Sequence, residues 1–81
     1  DAIISGRVER FEQLIDGSDA RVVVALTLQL RRPGDDQPRL VRDYTEEVKL
    51  ADTSPRVAIT GIEQALIRII DRFLDDIIDN L

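Results

Sequence analysis

Near its C-terminus the chain reads Asp75-Asp76-Ile77-Ile78-Asp79, a DDxxD spacing. On a helix that spacing brings carboxylates close enough to hold magnesium through a diphosphate. Such chemistry needs a deep cavity around the metal, and an 81-residue chain with strands ahead of the motif has no room for one. The three aspartates are therefore expected on a solvated helix face, where they meet the negative end of the helix dipole. Glu46 and Glu47 are adjacent, and on a strand adjacent side chains point to opposite faces, so they do not form an acid/base pair. Gly17 and Gly34 stand alone in polar loops with no helix following, which is no phosphate cradle. Arg7, Arg10 and Arg21 could attract an anion, but Glu9 and Asp19 beside them point to ordinary ion pairing. There is no histidine and no cysteine, which removes the commonest general base, the commonest metal ligand and any thiolate. The expectation is no enzyme: no catalytic, cofactor-binding or metal site, and no cofactor.

Composition narrows the partners. A net charge of −5 and only three aromatic residues, Phe11, Tyr44 and Phe73, disfavour nucleic acid, which calls for basic surface interleaved with stacking platforms. Lys49 is the single lysine among eleven basic residues, a bias that fits a GC-rich genome better than a recognition surface. No apolar run approaches the ~20 residues of a membrane span. The absence of cysteine suits a reducing cytosol or a periplasmic domain without disulfides. The chain opens at Asp1 directly into a strand pattern and reads as part of something longer, either one domain or the C-terminal part of one.

The elements that carry these residues are organised around residues 54–81. Ser54-Pro55 offers an N-cap hydroxyl followed by a residue pre-set for the first helical position, and no proline follows. A helix over about 55–80 would gather Ile59, Ile62, Leu66, Ile69, Ile70, Phe73 and Ile77 on one side, with Gln64, Arg68, Asp71, Arg72, Asp75 and Asp79 opposite. Ahead of it, three strands are expected at about 2–12, 20–31 and 39–50. In the first, Ile4, Gly6 and Val8 alternate until Phe11 falls out of register, so either a bulge turns it inward or it covers an end of the sheet. In the second, Ala20, Val22, Val24, Leu26, Leu28 and Leu30 share the face expected to meet the helix. In the third, Arg42 and Glu46 interrupt the apolar register of Leu40, Tyr44, Val48 and Leu50. Asp16 to Asp19 and Arg32 to Pro38 carry turn chemistry. Gly61, costly inside a helix by about 1 kcal/mol, is expected where the helix approaches the sheet closely. The fold class is α+β: a three-stranded antiparallel meander under one long C-terminal helix, and half of a larger two-layer domain.

The helix is more apolar than that arrangement needs. Its apolar arc covers about 180° where one packing face takes roughly 100°. The surplus is Ile67, Leu74 and Ile78, spaced seven and four apart. Three strands make a layer about as wide as one helix, so these residues are expected to form an interface with material outside the unit, either upstream sequence or a second copy.

The run Ile4-Ser5-Gly6-Arg7-Val8-Glu9-Arg10-Phe11-Glu12 resembles the hydrophobic-x-Gly-x-Val-x-Arg-Phe-Glu strand of the ABC-type transport auxiliary lipoproteins, the Pqi-type lipoproteins that accompany Mce-domain lipid transporters. The similarity continues through Arg21 to Leu30, the Pro33-Gly34 turn, Glu47-Val48 and the helix from Val57-Ala58-Ile59 onward, and corresponds to the C-terminal half of that family. The resemblance implies a non-catalytic periplasmic subunit, held at the outer membrane by an upstream lipidated cysteine. Its partners would be an Mce-domain protein and ABC transporter subunits in intermembrane lipid transport. The alternative is a stand-alone cytoplasmic protein-interaction module that dimerises through its helix flank or an edge strand.

Overall fold

A computed structural model describes residues 1–80. Three antiparallel strands, β1 (Ile3–Asp16), β2 (Asp19–Arg31) and β3 (Leu40–Leu50), form one sheet in the order β1-β2-β3, and α1 (Pro55–Asp79) packs on one face of it. This is the α+β meander and helix expected from the alternation of strands and the helical period.

The hairpins follow from their turn residues. Asp16 pairs with Asp19 across a two-residue turn in which Gly17 takes φ 62, the sign a type II′ hairpin needs at its first central residue. Because the turn is that tight, β1 runs to Asp16 and pairs Gln13, Leu14 and Ile15 with Val22, Arg21 and Ala20, well beyond the expected end near residue 12. The second loop opens with Pro33 followed by Gly34 at φ 89, closed by the Asp35 amide donating to the Arg32 carbonyl at 3.1 Å, the pattern of a type II turn.

The register of β1 slips between Val8 and Arg10, where Glu9 is the extra residue of a bulge. Val8 lies opposite Leu26 and Phe11 opposite Val24, so the bulge returns Phe11 to the helix side of the sheet. Gly6 lies against Leu28, and a Cβ there would stand 2.6 Å from Leu28 Cδ2, so this glycine marks a close approach across the hairpin.

The helix starts as its cap predicts. The Ser54 hydroxyl accepts from the Val57 amide at 3.4 Å, the Ser54 carbonyl accepts from Ala58 at 3.1 Å, and Pro55 occupies the first turn. Hydrogen bonding from Ser54, through its hydroxyl first and its amide second, holds the Asp52 carboxyl below the usual carboxylate value. At the other end Asn80 caps the helix, its side-chain amide donating to the Asp76 carbonyl at 2.7 Å.

The buried core consists of Ala20, Val22 and Val24 of β2, Leu40, Tyr44, Val48 and Leu50 of β3, and Ala58, Ala65, Ile69 and Phe73 of α1. The expectation that Ile59 and Ile70 share the packing face is corrected, since they are 58% and 51% exposed. The line that meets the sheet is Ala58, Gly61, Ala65, Ile69 and Phe73, with Ile62, Leu66 and Ile77 half-buried beside it. Small residues decide this. At Gly61 a Cβ would stand 2.5 Å from Leu50 Cδ2 and 3.2 Å from Val22 Cγ2, so that turn sits almost on the sheet, as expected for an internal glycine. Closeness wins over bulk: the helix lies over β2 and β3 and leaves β1 largely uncovered.

Candidate functional site

Polar side chains fix the helix to β3. The Tyr44 ring is buried edge-on against Phe73, with centroids 6.1 Å apart at 74°, and its hydroxyl donates to the Asp76 carboxylate. The Arg72 guanidinium lies 5.1 Å over the same ring and donates to Glu46 at 3.2 Å. Burial, reinforced by the Asp76 carboxylate, pushes the Tyr44 hydroxyl up to about 12. Glu46 and Arg42, which interrupt the apolar register of β3, do not pair with each other. Glu46 pairs instead with Arg72, while Arg42 donates to the Val41 carbonyl. This cluster locks the side of the helix that faces β3, and with Asp76 turned to Tyr44 the DDxxD carboxylates do not converge. Among the described residues no group of three or more acidic side chains is placed to hold a metal ion.

The face of the sheet away from the helix is polar and internally paired. Arg7 meets Glu9 at 2.6 Å, Arg10 meets Glu12 at 2.9 Å, and Arg21 meets Glu47 across β2 and β3 at 3.1 Å. The Thr27 hydroxyl lies between Asp43 and Glu9 at 2.6 and 3.2 Å. Arg10 holds the Glu12 carboxyl below its ordinary pKa by hydrogen bond and charge. The three arginines are thus occupied by carboxylates, two of them within their own strand. Beneath these long side chains Val23 and Ala25 are buried with no element stacked on them, since their neighbours in register, Glu12, Glu47, Arg10 and Thr45, cover them.

The helix side is different. Where α1 leaves β1 open, Ile4, Val8, Phe11 and Ile15 are all more than half exposed, and no charged residue shares their face of the strand. Leu26, Leu28 and Leu30 of β2 form a half-buried floor beside them. The wall is the flank of α1 carrying Ile59, Leu66, Ile70 and Ile77. At 100° per residue it lies about 80–120° round from the centre of the buried line. At one end the groove opens into a notch where Ile4, Leu30, Leu40 and Ile77 lie below Arg32 and Arg39. The strand face, floor and wall together make an extended apolar surface.

Ile67, Leu74 and Ile78, the expected interface residues, are 59%, 47% and 67% exposed. As the surplus of a continuous apolar arc, they would border the packing face. With the true packing line rolled toward Ala58, Gly61 and Ala65, they lie about 160–200° from its centre and point away from the sheet. The groove residues of β1 were not singled out from sequence. The signal was present in Ile4, Val8, Phe11 and Ile15, four bulky apolar residues on one face of an edge strand once a single bulge is allowed for.

No protein-family model, no curated protein and no solved structure matches this chain. No helix among the described residues is long and apolar enough to cross a membrane.

Proposed function

We propose that this protein is a non-catalytic auxiliary component of an ABC/Mce-type intermembrane lipid transport system, acting by binding its partners. The observation that carries the reading is the first strand. Ile4 to Glu12 resembles the hydrophobic-x-Gly-x-Val-x-Arg-Phe-Glu pattern of the auxiliary lipoprotein strand, and the bulge at Glu9 gives its Arg-Phe-Glu end a physical role. Arg10 and Glu12 pair on the polar face while Phe11 projects to the groove side. The groove is mainly apolar, with its charged groups confined to the notch at Arg32 and Arg39, which supports a binding surface. In this reading the partners are an Mce-domain protein and ABC transporter subunits. The site of action is the periplasmic side of the outer membrane, reached through a lipid anchor upstream of this chain.

Deleting the gene in its own organism tests the proposal. Phospholipid exchange between the two membranes, followed by isotope-labelled lipid, should slow and recover when the gene is restored. Exchange unchanged by the deletion, under conditions where loss of the neighbouring Mce-domain gene slows it, would rule the proposal out.

A further inference from the structure

We infer that two copies of this chain associate face to face, each laying its helix into the groove over β1 of the other. Three separately placed surfaces demand cover: the inner face of β1, the flank of α1 above it, and the top of α1 at Ile67, Leu74 and Ile78. A single foreign helix lying in the groove would cover the first two and leave the top bare. Pairing two β1 edges into one six-stranded sheet would leave all three open, because each helix sits over its own β2 and β3. A second copy turned over onto the first covers all three at once. The helices then lie side by side as a middle layer between two sheets, each α1 packed below on its own strands and above on the partner's β1. The contact is its own complement, as a two-fold interface requires.

The exposed area agrees with this. Ile4, Val8, Phe11, Ile15, Ile59, Ile67, Ile70, Leu74 and Ile78 are each about half exposed. At roughly 150–200 Å² for a large apolar residue they present on the order of 800 Å² per copy, the size of a stable interface and more than the largest apolar patch of a typical monomer. On α1, Arg68, Arg72, Asp75, Asp76 and Asp79 lie toward β3 or against the sheet, while Arg56, Glu63 and Asp71 share the side of the helix that carries the flank and the top, so the contact is apolar with charge at those three positions. The inference does not depend on the transport reading, and neither outcome below bears on lipid exchange.

Sedimentation of the chain from about 1 to about 300 µM should show a dimer at the upper concentrations. Phe11→Glu on β1 and Leu74→Glu on the top of α1 should each weaken it by about 100-fold or more, although the two residues lie on different elements of one copy. Both side chains are half exposed, and circular dichroism verifies that the variants fold. The chain has no cysteine, so a near-isosteric probe is also open. Val8→Cys mixed with Ile67→Cys should form a disulfide between copies on oxidation. Val41→Cys, on the opposite face of the sheet, should not do so with Ile67→Cys. A monomer throughout the range, a dimer indifferent to both glutamates, or a Val8/Ile67 pair that links no better than the Val41 control would overturn the inference.

Discussion

Tyr44 is the residue on which the helix–sheet contact is most finely set, since one side chain meets Phe73, Arg72 and Asp76 of α1. Its raised pKa makes this contact measurable. The folded value of about 12 exceeds the unfolded value of about 10, so the stabilisation is whole below pH 10 and is lost as pH rises through 12. Denaturant unfolding should show stability falling by about 1–2 kcal/mol across that window, less than the whole shift because the half-buried Asp76 is screened by solvent, and Tyr44→Phe should remove most of the slope. Parallel slopes in both proteins would mean that the hydroxyl is not held as described. Gly61 provides a second test. Alanine would gain about 1 kcal/mol of helix propensity, but its methyl group meets Leu50 and the wholly buried, β-branched Val22. Overpacking of this kind costs about 1–3 kcal/mol, so Gly61→Ala should be net destabilising, read as a lower denaturation midpoint. A more stable variant would show that the helix stands further from the sheet.

At the scale of elements, the strands, the turns and the helix cap were legible in the sequence because each has a local cause. Ser54-Pro55, the alternation of Ala20 to Leu30 and the Pro33-Gly34 pair all act through their own backbone. What was not legible is how the helix is rolled and where it sits across the sheet. Apolar period ranks Ile59, Ile70 and Ala65 by hydrophobicity and so centres the face on the isoleucines. Packing ranks them by how near the backbone can come, which favours Ala58, Gly61 and Ala65. The interface residues Ile67, Leu74 and Ile78 were picked out by the same periodicity, yet their direction depended on that roll, and the groove over β1 depended on it entirely. Ile69, fully buried, should cost about 2–5 kcal/mol when truncated to alanine, and the half-buried Leu66 should cost less. Equal losses by denaturant unfolding would place the helix nearer to β1 than described.

At the scale of the molecule, one face is finished and the other is not. The outer face of the sheet satisfies its charges within itself, and the side of α1 toward β3 is tied down by Tyr44, Arg72 and Glu46. The inner face of β1 and the far side of the helix leave Ile4, Val8, Phe11, Ile15, Ile67, Leu74 and Ile78 uncovered. Under the proposed function this surface contributes contacts to an assembly, and the resemblance of the strand from Ile4 to Glu12 names the assembly in which to test it. The most direct test is cross-linking in the cells of origin, with a tag on the gene's full product and recovery from the membrane fraction. The account predicts that an Mce-domain protein and ABC transporter subunits are recovered covalently linked to it, with links that fall on the tagged component itself. Recovery from the cytosol, or from membranes with neither of those proteins attached, would contradict it.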